Sequence, residues 1–305
     1  MVPILFLKFE LQQFTINEFI WVEKLSDELQ LARGWRGSFG HSEPSPVESA
    51  ITHGLFISNR SIENKTWFQH GTMQPESYPV EEIDAFFAAI RISSGYSTGY
   101  AQMFELPVGW ASSYAADMIP IDGPSVESYP PFFERGFPQE TVPTVSSIET
   151  SDIVKTFENL HTVFATRHAS KVRLAMNRLN LSSLRTTDED GIIDAMIAME
   201  ALLSDDRQEM THKVAMRLAA LYKIADPSRS EQAFKELKRI YAFRSKIVHG
   251  DADLDKHRQL DRDGVTIFAI DAAVEHLRNA FAMLIRYPVF LEPTKIDSFL
   301  LTDNF

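Results

Sequence analysis

The chain has 305 residues, no cysteine and a formal net charge of -12. The lack of cysteine excludes disulfide bonds, thiolate zinc sites and a cysteine nucleophile, and it fits a reducing compartment. The apolar start MVPILFLKFE lacks a basic region and reaches Glu10 too early for a signal peptide, and no apolar run approaches the length of a membrane span. We therefore expect a cytoplasmic protein without a membrane partner.

The negative charge is concentrated in one half of the chain. Residues 1–150 hold 8 Lys and Arg against 19 Asp and Glu, whereas residues 151–305 hold 22 against 23. Within the second half, the segment from Asn159 to Thr187 has five basic residues and no acidic one. This segment predicts either a local phosphate-binding surface or a solvated helix face.

The first half of the chain has the patterns of short strands. Runs such as ILFLKFELQQF, INEFIWVEKL, GLFISNRSI and AAIRIS suggest half-buried strands, and Val80–Ile90 suggests a short helix. We predict an acidic β-rich or α+β domain over residues 1–117, with a sensor role. Residues 118–150 carry six prolines and little periodicity, which predicts a linker or a long ordered loop.

The second half is predicted to be helical, since 12 of the 15 prolines lie before residue 151. Ser228 and Glu231 have the spacing of a capping box, and Gly250 lies where a helix C-cap glycine belongs. The overall prediction is an α+β protein that ends in an all-α helical bundle over residues 151–305. The predicted helices cover about residues 151–180, 189–204, 209–224, 229–249 and 266–286.

The fourth predicted helix carries two polar residues of chemical interest, Arg244 and His249, in the segment FRSKIVHG. Arg244 shares an apolar face with Tyr241 and Val248, and an unpaired buried guanidinium is costly. His249 precedes Gly250, where the helix dipole favours an imidazolium. Together they suit phosphoryl chemistry, since one can bind phosphate oxygens and the other can move a proton. A satisfied structural arginine and a helix-capping histidine explain the spacing equally well.

The segment RSKIVHG resembles the Arg-x4-6-His signature of the HEPN superfamily, and its surroundings are similar to the Apea-like branch. In that branch, helices resembling IDAMIAMEALL and THKVAMRLAAL precede the one with the signature, and the resemblance covers roughly residues 185–290. It implies a homodimeric helical bundle that cleaves RNA without a metal ion or other cofactor, often in toxin–antitoxin or antiphage defence. An antitoxin or regulatory protein is a further partner that it implies.

The resemblance assigns roles to individual residues. Arg244 and His249 correspond to the catalytic pair, and Ser245 fills the polar position after the arginine, next to Lys246. Cleavage would use the 2′-hydroxyl of RNA as the nucleophile and leave 2′,3′-cyclic phosphate and 5′-hydroxyl ends. Some members of the superfamily only bind RNA or a partner protein, so a non-catalytic binding module is the alternative.

Two other charges occupy apolar positions, Glu200 and Arg217. We predict that they form an ion pair between two helices, or that they support Arg244 or contact RNA.

Gly95-Tyr-Ser-Thr-Gly99 matches the G-x-S-x-G pattern and makes Ser97 a remote candidate for a serine nucleophile. A glycine-bearing hairpin turn is the simpler interpretation of this segment.

Overall fold

The computed structural model describes residues 1–38, 51–61, 78–108, 118–134, 142–205, 209–251 and 254–302. The chain forms two compact units. The first contains Met1–Phe87 and Tyr96–Val154, and the second contains Ala88–Gly95 and the chain from Lys155 onward. The mixture of helices and small sheets confirms the α+β prediction in its coarse form.

The first unit is built on a four-stranded antiparallel sheet. Its strands are β1 (Val2–Leu5), β3 (Gln13–Asn17), β4 (Ile20–Lys24) and β5 (Ile51–Ile57), in the order β1-β5-β4-β3, while β2 is Lys8–Phe9. Strand β3 alternates exposed and buried residues, as expected for a sheet with one solvated face. Helix α1 (Asp27–Ser38) follows β4. Three of the four predicted strand runs are thus confirmed.

The fourth predicted strand, AAIRIS, is wrong. It forms the end of helix α2 (Val80–Ser93), whose start at Val80 was predicted. Almost every residue from Phe86 to Ile92 is buried, so the sequence lacks the polar face that marks a helix. A short apolar run of this kind cannot be assigned to helix or strand by periodicity alone.

The proline-rich segment 118–150 contains regular structure. Strand β6 (Tyr100–Gln102) pairs with β7 (Ser125–Ser128), a 3-10 turn covers Pro131–Glu134, and β8 (Thr144–Val145) pairs in parallel with β2. All of these elements belong to the first unit. The described residues of the segment therefore belong to that unit, which fits the predicted long ordered loop better than the predicted linker.

The second unit consists mainly of helices. In chain order these are α3 (Ser147–Phe164), α4 (Ala169–Leu184), α5 (Asp188–Leu203), α6 (Met210–Ala225), α7 (Ser230–His249), α8 (Ala269–Arg286) and α9 (Pro293–Thr302), with the first turns of α3 assigned to the first unit. Helices α5, α6, α7 and α8 match their predictions to within three residues. Their apolar faces, from Ile192 to Leu284, form a core with little or no exposed surface.

The predicted helix over 151–180 is two helices, α3 and α4, separated by a turn. In that turn the Thr166 hydroxyl donates to the Val163 carbonyl at 2.7 Å and accepts the backbone N–H of His168 at 3.2 Å. Such local side-chain bonds compete with the helical hydrogen bonds. Helix α3 also begins earlier than predicted, because Ser146 and Glu149 form a capping box.

The predicted all-α character of residues 151–305 is wrong in one place. A hairpin of β9 (Gln259–Arg262) and β10 (Val265–Phe268) precedes α8. Its turn consists of Asp263 and Gly264, both with positive φ, at 53° and 82°. Asp-Gly is a strong hairpin signal that the sequence carried. Helix α9 was also not predicted.

Among the described helices, none has the length and apolar character needed to cross a lipid bilayer.

Candidate functional site

The candidate site lies at the carboxyl end of α7, where the helix ends as predicted. Gly250 has a φ of 71°, and its N–H and that of Asp251 bond to the carbonyls of Ile247 and Lys246 at 3.2 and 3.1 Å. This left-handed cap stops the helix directly after His249. The His249 side chain is exposed. It is therefore accessible to a bound molecule at the end of the helix.

The start of α7 differs from the prediction. Ser228 does not form a capping box with Glu231, because its hydroxyl donates to Asp226 Oδ1 at 2.6 Å. Asp226 caps a 3-10 turn over Pro227–Arg229, and α7 follows that turn at Ser230. Spacing alone does not distinguish the two arrangements.

The surroundings of Arg244 leave one of its nitrogen atoms buried without a hydrogen-bond partner. The side chain is partly buried, and its Nε is buried without a hydrogen-bond partner. Within the described ranges of the chain, no carboxylate forms an ion pair with Arg244. A partly buried guanidinium of this kind gains from binding an anion, because protein partners leave its buried Nε without a hydrogen bond.

Tyr241 lies one turn before Arg244 and also has a buried polar atom without a hydrogen-bond partner. Its hydroxyl is buried and makes no hydrogen bond of normal geometry. Burial raises the pKa of Tyr241, the nearby Glu200 carboxylate raises it further, and the charge of Arg244 acts in the opposite direction. Helix α5 thus brings Glu200 close to Tyr241, on which the charge of Arg244 also acts. The predicted supporting role of Glu200 near Arg244 stays a prediction, and this placement favours it.

Within one chain, Arg244 and His249 do not face the same side of helix α7. They are five residues apart on one helix, which rotates them by about 140° at 3.6 residues per turn. Accordingly, Arg244 is partly buried while His249 and Ser245 are exposed. Lys246 is half-buried, and its Nζ lies 3.4 Å from Asp251 Oδ2. A second copy or a bound ligand is needed for both groups to act on one atom.

The predicted ion pair between Glu200 and Arg217 is wrong. Arg217 is 1 % exposed and binds two other carboxylates. Its Nη1 and Nη2 donate to Asp205 at 2.8 and 3.1 Å, and its Nε and Nη2 donate to Asp297 at 2.8 and 2.6 Å. Nη1 also donates to the Leu203 carbonyl at 2.8 Å. Every guanidinium nitrogen is therefore satisfied, so Arg217 joins α6 to α9 and to the end of α5 without a free donor for RNA.

The sequence did not single out a buried polar network in the same unit. Glu236 of α7 accepts from Arg262 Nε and Nη2 at 2.8 and 2.7 Å, and it lies 2.9 Å from His276 Nε2. The other nitrogen of His276 lies 3.0 Å from the Tyr222 hydroxyl, and burial raises the pKa of Tyr222 to about 12. Arg262 also donates to Glu275 at 2.7 Å. Glu236 occupies an apolar position beside Leu237, which was the available signal.

This network is saturated with protein partners. Arg262 comes from the β9–β10 hairpin, Glu236 from α7 and His276 from α8. Glu236 and His276 are buried. Since each charged or polar group finds another, the network holds the hairpin on the helices and offers no free group to a ligand.

The basic side chains of the segment Asn159–Thr187 also bind other groups of the protein. Arg178 and Arg185 bind the buried Asp194 carboxylate at 2.5 and 2.6 Å. The segment's remaining cations contact Glu292, the Leu291 carbonyl and the Phe164 ring. Neither expectation for this segment, a phosphate-binding surface or a solvated helix face, describes these contacts.

Ser97 lacks the setting of a hydrolase nucleophile. A nucleophile elbow joins a strand to a following helix. Here helix α2 comes first, Gly95 ends it with a φ of 76°, and strand β6 follows. The order of elements is reversed, so the serine hydrolase interpretation is wrong. The interpretation of this segment as a hairpin turn is also wrong, because Gly95 is a helix cap.

Comparisons with protein-family models, curated proteins and solved structures give no match. The functional interpretation therefore depends on the residues of this chain alone.

Proposed function

We propose that the chain is a metal-independent endoribonuclease of the HEPN type that acts as a homodimer. The observation that carries the proposal is the presence, in the last two turns of one helix, of a partly buried Arg244 whose Nε has no protein partner and of an exposed His249. Arg217 shows how this protein satisfies an arginine that serves structure. Arg244 is left available to an anion.

The chemistry requires proton transfer and stabilisation of a crowded phosphate, which these two groups can supply. The 2′-hydroxyl loses its proton to a base and attacks the adjacent phosphorus. The new bond from O2′ to phosphorus forms as the bond from phosphorus to O5′ breaks. The departing O5′ takes a proton and becomes a 5′-hydroxyl. His249 transfers a proton, and Arg244 binds the phosphate oxygens whose charge grows in the transition state.

The rotation between the two residues supports a dimer. Since they point about 140° apart on one helix, a two-fold arrangement of α7 with its copy is the simplest way to place Arg244 of one chain near His249 of the other. Glu200 and Tyr241 then act behind Arg244 as positioning residues. DNA is not a substrate, because it lacks the 2′-hydroxyl.

A mixing experiment tests the shared site. Arg244→Ala and His249→Ala are each expected to abolish cleavage of a mixed RNA pool in EDTA. When the two inactive proteins are mixed and allowed to exchange subunits, each heterodimer regains one intact Arg–His pair. With half of the dimers mixed and one site in each, we expect about a quarter of the wild-type rate.

The second candidate is a non-catalytic HEPN module that binds RNA, and the separation of Arg244 from His249 within one chain favours it. This module would bind RNA without cutting it, and mixing the variants would restore nothing. RNA cleavage that survives both single substitutions would contradict the nuclease proposal outright. Cleavage lost in each variant but not regained on mixing would retain the nuclease and reject the shared site.

A further inference from the structure

The outward face of α7 carries a stripe of cations. Its members, which we call the outer stripe, are Lys235, Lys238, Arg239 and Lys246. At 100° per residue they fall within about 100° of arc, and His249 lies in the same arc. From Lys235 to His249 the stripe is about 21 Å long at 1.5 Å per residue. It lies on the side of α7 away from Arg244.

The cations of the outer stripe have either no ion-pair partner among the described residues or an exposed one. Lys235, Lys238 and Arg239 are exposed, and Lys246 is half-buried. Over the ranges that the structure describes, Lys238 and Arg239 make no ion pair, although Lys238 also lies 5.5 Å from the Phe234 ring. Lys235 pairs with Glu231 and Lys246 with Asp251, at 2.5 and 3.4 Å. Pairs this exposed hold their partners only weakly.

This arrangement is the opposite of that on α4. There Arg178 and Arg185 share one buried carboxylate, that of Asp194, so both guanidinium groups are held by a protein partner. On an acidic protein, an exposed row of cations with only weak partners attracts a polyanion. The small side chains of Ala242 and Ser245 lie within the same exposed surface and let a backbone approach closely.

We propose that single-stranded RNA lies along the outer stripe, with its phosphates on Lys246, Lys238, Arg239 and Lys235. The choice of RNA over an acidic peptide rests on the proposed function, because the stripe ends at His249, the residue that moves the proton. Lys235 and Arg239 also line a depression of about 170 Å³, together with Glu236, Asp261 and Asp263. The carboxylates of Asp261 and Asp263 repel phosphate, so the RNA strand contacts these two cations from the Lys238 side of α7 and stays outside the depression.

The test measures binding without cleavage. The full chain with His249→Ala is titrated with a labelled oligouridine between about 50 and 200 mM salt, with and without the pair Lys238→Gln and Arg239→Gln. Each lost phosphate contact on a single strand makes the negative slope of log K against log salt shallower by about 0.7, so we expect its magnitude to decrease by about 1.4. Affinity falls as well, most strongly at low salt.

The matched control is Lys155→Gln, an exposed lysine on α3 with Asp152 and Glu158 nearby in sequence. It should leave the slope unchanged. An unchanged slope in the double variant, or no binding by its parent, overturns the proposal. Displacement of RNA by polyglutamate at equal charge concentration also overturns it, in favour of an acidic protein partner.

The two proposals fail separately. If the chain with His249 intact cuts no RNA while the stripe variants lose binding, the outer stripe stands and the nuclease does not. If the chain cuts RNA and the double variant keeps its salt slope, the nuclease stands and the outer stripe does not.

Discussion

Arg217 and Arg244 occupy equivalent apolar positions on successive helices, yet the structure treats them differently. Arg217 is buried and binds two carboxylates and a carbonyl. Arg244 has a buried Nε without a partner. A charge that the protein satisfies itself serves the fold, whereas one left without partners is available to a ligand. Sequence position does not distinguish these two states, whereas the contacts of each guanidinium do.

Helix α7 repeats the contrast along its own length. Its first half holds Glu236, whose oxygens are bound by Arg262 and His276. Its second half holds Tyr241 and Arg244, which both have unpaired buried atoms. The half of α7 whose polar groups are satisfied and the half with unpaired buried atoms are therefore adjacent. Substitutions in the two halves should affect stability and activity separately.

The largest effect is expected for Arg217→Met. Two carboxylates, Asp205 and Asp297, lose their shared cation, and the free energy of unfolding should fall by about 3 kcal/mol or more. Urea unfolding measures it. Arg244→Met is the matched control and should change stability by less than about 1 kcal/mol, because it breaks no ion pair. Equal losses in the two variants would remove the distinction between the arginines.

The Glu236 network should show a distinct pH dependence. Burial raises the pKa of Glu236, but hydrogen bonds from Arg262 and His276 lower it more, so its folded pKa lies well below the ordinary 4.5. Its contribution to stability is therefore present above about pH 4.5 and is lost as pH falls toward the folded pKa.

The test of the network is Glu236→Gln, which should cost about 2–3 kcal/mol at pH 7. Urea unfolding of both proteins between pH 7 and about pH 3 measures how the difference shrinks. A difference that stays constant over this range would show that the carboxylate is not stabilised in its ionised form.

A smaller effect is expected at the helix end. Gly250 has a φ of 71°, and a Cβ there would meet no atom within 4 Å, so Gly250→Ala costs only the left-handed backbone conformation. That cost is about 1 kcal/mol in urea unfolding. Gly250→Asn, which tolerates this conformation better, should cost less. If alanine is as stable as glycine, α7 does not end in this cap and His249 is positioned differently.

The smallest effect, and one of opposite sign, is expected for Tyr241→Phe. Removing a buried hydroxyl without a hydrogen bond should leave stability unchanged or raise it by up to about 1 kcal/mol. Unfolding in urea measures this change. A loss of about 1 kcal/mol instead would show that the hydroxyl is hydrogen-bonded, and Glu200 is its nearest candidate partner.

The sequence predicted those helices that have strong apolar periodicity and clear capping residues. Helices α5 to α8 and the glycine cap at Gly250 follow from apolar spacing and local backbone preference, which act over a few residues. The run AAIRIS failed because its burial on all sides removes the period. The Asp263–Gly264 turn was a local signal that was missed.

The site was only partly predictable. Arg244, His249 and the neighbouring polar residues could be found from their positions on one helix. The partners of Arg217 could not, because Asp297 lies 80 residues further along the chain. Whether Arg244 has an ion-pair partner also depends on residues that are distant in sequence and close in space, so the sequence did not reveal it. The outer stripe was readable from helical spacing, but its exposure required the fold.

The most direct test of the central claim is to map the ends of RNA fragments made by the wild type and by Arg244→Ala and His249→Ala in EDTA. We predict 2′,3′-cyclic phosphate and 5′-hydroxyl ends from the wild type and no fragments from either variant, while both variants unfold in urea like the wild type. Identical fragments from all three proteins would contradict the assignment of Arg244 and His249. An intact RNA pool after incubation with the wild type would contradict the nuclease itself.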